Sequence, residues 1–295
     1  MIDLRDMQLL TALSRHKHFA KAATECGISQ PAFSMRIRAL EDRLGVAIVR
    51  RGNRFLGLTP QGELLVQRAL GILDDVRGLE QEIKAGDGPI AGTLTLGVVP
   101  TALAQAGALV AALYDQFPQV FVRLESASSL AIQQGIEDGR LDAGLSYTDG
   151  VSTDLLQVEP VYEETYVLLA PKAVVAGDAG KVRWDDLAGV PLCLLDGQMQ
   201  NRRILDNIFA EVGLVPNIVS EANGFTSALM MVQQGAVAAI LPKGLLDTFT
   251  MPEAITALEL HEPVVAKTIG LLTSRRGRAL PIVQKLRAIS LAAAL

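Results

Sequence analysis

Residues 26–45 read C-G-I-S-Q-P-A-F-S-M-R-I-R-A-L-E-D-R-L-G. Gly27 supplies the flexible residue that a sharp turn between two helices demands. Ser29 stands where a helix N-cap belongs, and Pro31 suits the first helical turn. From there Phe33, Ile37, Leu40 and Leu44 recur at spacings of 4, 3 and 4, which predicts one buried stripe. Stepping round the helix by about 100° per residue turns Pro31, Met35 and Arg38 away from that stripe, with Gln30 and Ser34 on its flank. Upstream, Leu4, Met7, Leu9, Leu10 and Leu13 follow a helical period over residues 4–15, and F-A-K-A-A-T-E (19–25) is a second short helix. Downstream, Gly45 stops the third helix. V-A-I-V-R (46–50) and R-F-L-G-L (54–58) then flank a Gly52–Asn53 turn, the pattern of a small β-wing.

Three helices followed by a wing predict a winged helix-turn-helix, whose third helix presents its N-terminal part to the major groove of DNA. Gln30 can pair with adenine through two hydrogen bonds, Ser34 can reach bases or phosphate, and Met35 can pack on a thymine methyl. Arg50, Arg51 and Arg54 bracket the wing and suit phosphate contacts that set register. The alternative is that Gln30 and Pro31 only open a helix and the arginines form a solvated face. Charge is unevenly spread. Residues 1–58 hold ten Lys/Arg against five Asp/Glu, a local +5, although the whole chain carries -5. A basic unit on an acidic body fits local binding to a polyanion.

Thr59-Pro60-Gln61-Gly62-Glu63 starts another helix, with Thr59 capping and Pro60 first. Along it Leu65, Ala69, Ile72, Val76, Leu79 and Ile83 are spaced 4, 3, 4, 3 and 4, three heptads without a slip. Such a stripe packs either on a second copy of itself or on the chain's own body, and the first is preferred. Ala85-Gly86-Asp87-Gly88-Pro89 reads as a hinge.

Beyond the hinge, strands alternate with helices, which predicts parallel sheets covered by helices. Strands are expected at 93–99, 120–126, 141–147, 166–170, 191–195, 217–222, 236–242 and 268–274. Helices are expected at 101–117, 129–139, 202–212, 226–234 and 279–292. The predicted fold class is thus α/β behind an α-rich winged helix-turn-helix. Its units are 1–58, a linker helix 59–88 and a body 89–295. The body splits into one half of about 91–162 and 267–295 and another of about 163–266.

Ligands of open α/β sheets sit beyond the carboxyl ends of strands, where helix N-termini offer free N–H groups to anions. Four such junctions carry small polar residues: Pro100-Thr101, Ser128-Ser129, Asn223-Gly224-Phe225, and Gln198 to Asn201 with Arg202. Tyr147 ends a strand on the same side. These residues are the candidate effector contacts, and ordinary helix capping is the competing reading of each junction. With no cation at the first two junctions, a small anion held by hydroxyls and amides is the preferred ligand, and Arg202 either binds it or faces solvent.

The run from Phe19 to Glu63, with F-A-K-A-A, the stretch quoted above and L-T-P-Q-G-E (58–63), resembles the LysR-type transcriptional regulators. The resemblance extends in pattern to the whole chain. It implies a winged helix-turn-helix, a linker helix and two α/β halves similar to periplasmic binding proteins. It implies DNA contact by Gln30, Pro31 and Ser34, binding to promoter DNA of dyad symmetry, and a homotetramer built from dimers paired through linker helices. RNA polymerase is a further candidate partner. Many members carry Arg where this chain has Met35, with Arg36 next to it, so either position is open for the charged contact.

A solute-binding protein for transport shares the body's fold but leaves residues 1–87 unused, and a winged helix can bind protein instead of DNA. No G-x-S-x-G, Walker loop, G-x-G-x-x-G or H-E-x-x-H occurs, so no enzyme is expected. Two cysteines, Cys26 and Cys193, make no disulfide framework, and no metal or cofactor is expected. No stretch reads as a leader or membrane span, which predicts a cytoplasmic protein.

Overall fold

The computed structural model describes residues 1–51, 55–85, 90–175, 180–246, 250–276 and 279–293. The amino-terminal unit holds α1 (Leu4–His16), α2 (Phe19–Glu25) and α3 (Gln30–Leu44), then the antiparallel wing strands β1 (Val49–Arg51) and β2 (Phe55–Leu58). Leu9, Leu10, Leu13, Phe33, Ile37 and Leu40 close one apolar core. The edge-on rings of Phe19 and Phe33 join α2 to α3, with centroids 6.1 Å apart. Gly27 takes φ +66°, so the helix-turn-helix corner requires a residue without a Cβ penalty there. The expected buried stripe is one residue too long. Leu44 is 37% exposed, because the helix ends at Gly45 before its last turn meets a partner. The predicted Gly52–Asn53 turn lies outside the described residues.

Helix α4 (Pro60–Ala85) leaves the wing. Thr59 caps it, accepting from the Gly62 N–H at 3.1 Å, and its hydroxyl also donates to the Ala47 carbonyl at 2.7 Å. The heptad stripe is covered by the chain itself only in part. Ala69 is buried against the chain's own body, beside Val66 and Leu70 of the amino-terminal core. Ile72, Leu79 and Ile83 are exposed. The hinge residues 86–89 lie outside the described residues.

The body is a mixed sheet ordered β4-β3-β5-β12-β6-β10-β8-β9. In it, β3 (Gly92–Val98), β4 (Val120–Ser126) and β5 (Ala143–Tyr147) are parallel, as are β8 (Pro191–Leu195), β9 (Asn217–Ala222) and β10 (Ala238–Pro242). The parallel-only expectation fails between them. The 16-residue strand β6 (Leu156–Pro171) pairs antiparallel with β12 (Ala266–Ser274) through its first part and with β10 through its last. Only its apolar end, 166–170, was legible as a strand. Strand β7 (Lys181–Arg183) pairs with β11 (Ile255–His261), also on β6. The stretch 101–117 begins as a tight 3-10 turn, Pro100–Ala102, before α5 (Leu103–Gln116). The other helices are α6 (Ser129–Glu137), α7 (Gln200–Glu211), α8 (Phe225–Gln233), α9 (Lys243–Leu246) and α10 (Pro281–Ala293). Arg287 of α10 grips Glu159 of β6, Nε to Oε2 2.6 Å, so the last helix returns to the first half.

Candidate nucleic-acid interface and effector site

On α3 the apolar side faces inward, and Ser29, Gln30, Pro31, Met35, Arg36 and Arg38 are exposed. Ser29 caps the helix by accepting from the Ala32 N–H at 3.4 Å. Gln30 Nε2 donates to Ser34 Oγ at 3.2 Å, so the two polar groups form one patch on the first turn. Met35 is 67% exposed, so its thioether is free to meet a partner. Arg43 is taken up by buried Asp6. Arg50 is exposed, with its Nε donating to the Leu58 carbonyl at 2.8 Å across the wing. Arg51 ends β1, and Arg54 lies outside the described residues. Six of the ten predicted DNA contacts are thus solvent-exposed between Ser29 and Arg38, with Pro31, Met35 and Arg38 opposite the buried stripe and Ser34 half-buried.

The effector residues divide. Thr101, at the start of the turn after β3, Tyr147 at the end of β5, and Asn201 in the first turn of α7 are all buried. They meet around a residue that the sequence reading passed over, Glu164 of β6, 3% exposed, to which Tyr147 Oη donates at 2.7 Å. Tyr166 lies two residues along β6 on the same side, facing both Glu164 and Asn201. The signal was present: Tyr162, Glu164 and Tyr166 alternate at the period of a strand, with a lone acid between two phenols.

Burial pushes the Glu164 carboxyl up to about 7, against the hydrogen bonds from Tyr147 and the facing Thr101 and Tyr166. Burial, and then the Glu164 charge, push the Tyr147 and Tyr166 phenols well above their ordinary value. Thr101 and Tyr166 face the carboxyl without closing well-formed hydrogen bonds. Thr101 Oγ1, Glu164 Oε2, Tyr166 Oη and both amide atoms of Asn201 have no partner among the described residues. Buried polar groups are nearly always paired, so this unsatisfied cluster is the candidate effector site. Ser129 Oγ, at the first position of α6, is buried and partnerless too, while Ser128 is spent as the cap, accepting from the Ala131 N–H at 3.3 Å.

The remaining predicted contacts stand elsewhere. Arg202 is held by Asp206 (2.9 Å), Glu221 (2.7 Å) and the Leu195 carbonyl (2.9 Å), so its charge is structural. Gln198 is exposed in the loop before α7. Pro100, Asn223 and Phe225 line a separate, largely apolar cavity of about 350 Å³ between α5, α8 and α9.

Helix α6 connects this region to the amino-terminal unit. Its first residues stand at the carboxyl end of β4, and its last meet α1. Arg15 donates to the Asp138 carbonyl at 3.2 Å, and Arg77 of α4 pairs with Asp142 at 2.8 Å. Arg276 donates to the carbonyls of Ile136, at 2.6 Å, and Glu137. Among the described residues no helix is long and apolar enough to cross a membrane.

Residues 4–63 match the family model described as bacterial regulatory helix-turn-helix protein, lysR family, and residues 87–294 match LysR substrate binding domain. A hydrogen peroxide-inducible genes activator of Haemophilus influenzae is 28% identical, over 92% of this chain and 90% of its own length. A probable hydrogen peroxide-inducible genes activator of Streptomyces viridosporus is 31% identical, over 81% of this chain and 77% of its own. Among solved structures, a variant of full-length OxyR from Pseudomonas aeruginosa shares the fold with a TM-score of 0.75 at 23% identity, covering 100% of this chain and 95% of that one. Full-length CbnR complexed with its target DNA shares it with a TM-score of 0.61 at 20% identity, covering 99% and 100%. With both models matched and together spanning nearly the whole sequence, the chain belongs to the LysR family of DNA-binding transcriptional regulators, transcription factors with an effector-binding domain and not enzymes.

Proposed function

We propose that this regulator reads promoter DNA in the cytoplasm through the exposed turn of α3 and is switched by a small organic anion bound at the Thr101–Tyr147–Glu164–Tyr166–Asn201 cluster. The observation that carries the switch is the set of buried, unpartnered polar atoms on both halves of the body. Hydroxyls, an amide and the start of α7 offer donors to a carboxylate, and no cation stands among them. Glu164 must then be protonated, so the affinity for an anion falls as pH rises through about 7. The names of the relatives point to peroxide. A thiol–disulfide response within residues 88–295 needs two cysteines, and this stretch holds only Cys193, which is 1% exposed. A noncovalent ligand is therefore favoured.

Ligand held against β6 and α6 has a short route to the amino-terminal unit, since α6 ends on Arg15. The exposed Ile72, Leu79 and Ile83 of α4 suit pairing with a second linker helix, and a homotetramer follows by pairing such dimers. Contact with RNA polymerase at the promoter belongs to the same reading.

Thr101→Ala is expected to weaken effector binding roughly tenfold, about 1.4 kcal/mol for one hydrogen bond to a charged group, with DNA affinity in the absence of effector unchanged. Calorimetry with small carboxylates at pH 6 and pH 8 checks it. Wild-type affinity in the variant, or tighter binding at pH 8, counts against the site. On DNA, Gln30→Ala with Ser34→Ala is expected to lose about 1–3 kcal/mol of discrimination between promoter and random sequence. Competition gel shifts read it directly. Here Ser29, Pro31, Met35, Arg36 and Arg38 complete the α3 contact, and Arg50, Arg51 and Arg54 hold phosphate.

A further inference from the structure

Three residues of one short turn, 138–142, meet the amino-terminal unit and its linker helix. Arg15 of α1 donates from Nη2 to the Asp138 carbonyl at 3.2 Å. Leu70 of α4, part of the amino-terminal core, packs on Gly139, where a Cβ would lie 2.8 Å from Leu70 Cδ2. Arg77 of α4 pairs with Asp142 at 2.8 Å, and Asp142 also accepts from the Thr95 N–H at 2.7 Å. The turn is bonded back into α6. The Asp138 N–H donates to the Gln134 carbonyl at 2.9 Å and the Leu141 N–H to the Gly135 carbonyl at 2.8 Å. A movement of α6 is therefore a movement of this turn.

The other end of α6 starts at the end of the sheet that carries candidate effector residues. The Ala127 N–H donates to the Val98 carbonyl at 3.0 Å, and the Val99 N–H to the Leu145 carbonyl at 3.0 Å. These bonds set Ser128 beside the chain that leads to Thr101 and the strand that ends at Tyr147. One helix of nine residues, about 13 Å long, joins that region to the turn.

One atom of the contact is left open. Arg15 is already tied to Glu25 of α2, Nη1 to Oε1 2.7 Å. Its Nε is buried and has no partner among the described residues, and Oδ1 of Asp138 stands 4.0 Å away. Such a bond closes at about 2.9 Å, so a shift of roughly 1 Å in the turn would complete it. A buried N–H without a partner is costly, which makes the closed arrangement a second favourable setting of the same contact.

We propose that Arg15 is the positioning residue through which the body and the DNA-reading helices sense each other. Its contact has an open setting, with Nε free, and a closed one, with Nε bonded to Asp138. Closure draws Arg15 toward α6 and pulls, through Glu25, on α2, whose Phe19 ring packs on Phe33 of α3. The link to an effector rests on the site proposed above, whereas the Arg15 contact does not. Coupling between two sites is reciprocal, so DNA on α3 must also act on the turn.

The test is hydrogen exchange of the full chain, free and saturated with double-stranded DNA from upstream of its own coding region. In the wild type, DNA is expected to change the exchange rate of the Asp138 and Leu141 amides roughly fivefold or more. Arg15→Gln and Asp138→Ala should each lose that response while still binding the DNA. Asp138→Asn keeps an acceptor for Nε and should retain most of it. Asp138 lies outside the amino-terminal core, and Glu25 keeps His16 Nε2 at 2.5 Å when Arg15 is replaced, so neither replacement removes a core contact. Amides that ignore DNA in the wild type, or a response that survives both Arg15→Gln and Asp138→Ala, overturn the proposal. No effector enters this measurement, so its failure leaves the polar cluster standing, and failure of that cluster to bind carboxylates leaves the Arg15 contact standing.

Discussion

A Glu164→Gln protein is expected to lose less stability than the wild type between pH 5 and pH 8. Burial raises the Glu164 carboxyl from its ordinary value near 4.5 to about 7 in the folded chain. Between those values the folded state binds more protons than the unfolded state, so stability falls as pH rises. The contribution is complete below about 4.5 and gone above about 7. That displacement is worth roughly 3 kcal/mol, or roughly 5 °C of melting temperature for a chain of this size. Glutamine keeps an acceptor for Tyr147 Oη, at 2.7 Å in the wild type, but has no charge to desolvate. Melting curves at half-unit pH steps measure the difference between the two proteins. Parallel curves would mean that Glu164 is charged at no such cost, and the effector site would lose its neutral acid.

Gly62→Ala is expected to destabilise the amino-terminal unit by roughly 3 kcal/mol or more and to abolish DNA binding. A Cβ at Gly62 would lie 2.2 Å from the Ile48 carbonyl oxygen, a backbone atom. That oxygen is held in place, because it accepts from the Thr59 N–H at 2.9 Å. Relief therefore requires α4 to move off the wing, which misplaces Arg50 and the strands beside α3. Chemical denaturation followed by gel shift tests it, and wild-type values in both would show that α4 is free to shift.

How far the sequence could be read follows from where the physics is local. The quoted stretch carries its own caps, turn glycine and helical period, so α1 to α3 were legible from residues within a few positions of one another. Thr59 and Pro60 announced α4 in the same way. The fate of the heptad stripe was not legible, because periodicity does not say what covers a face. Ala69 is buried by its own body while Ile72, Leu79 and Ile83 are not. Thr101, Tyr147 and Asn201 were legible as junction residues, but their meeting point depends on β6. That strand hid its first ten residues behind Pro160 and a run of acids, and with them Glu164. Arg202 misled because charge near a helix start suits an anion, and only the fold reveals that Asp206 and Glu221 already hold it.

The most direct test of the DNA-reading face is fluorescence anisotropy of the full chain on the DNA upstream of its own coding region and on random DNA, from roughly 50 to 200 mM salt. Affinity is predicted to fall steeply and linearly on logarithmic axes for both DNAs, with the upstream fragment bound more tightly throughout. Its advantage is predicted to shrink when Gln30 and Ser34 are both replaced by alanine. Binding that ignores salt, or the same affinity for both fragments in wild type and variant, would contradict a groove-reading α3.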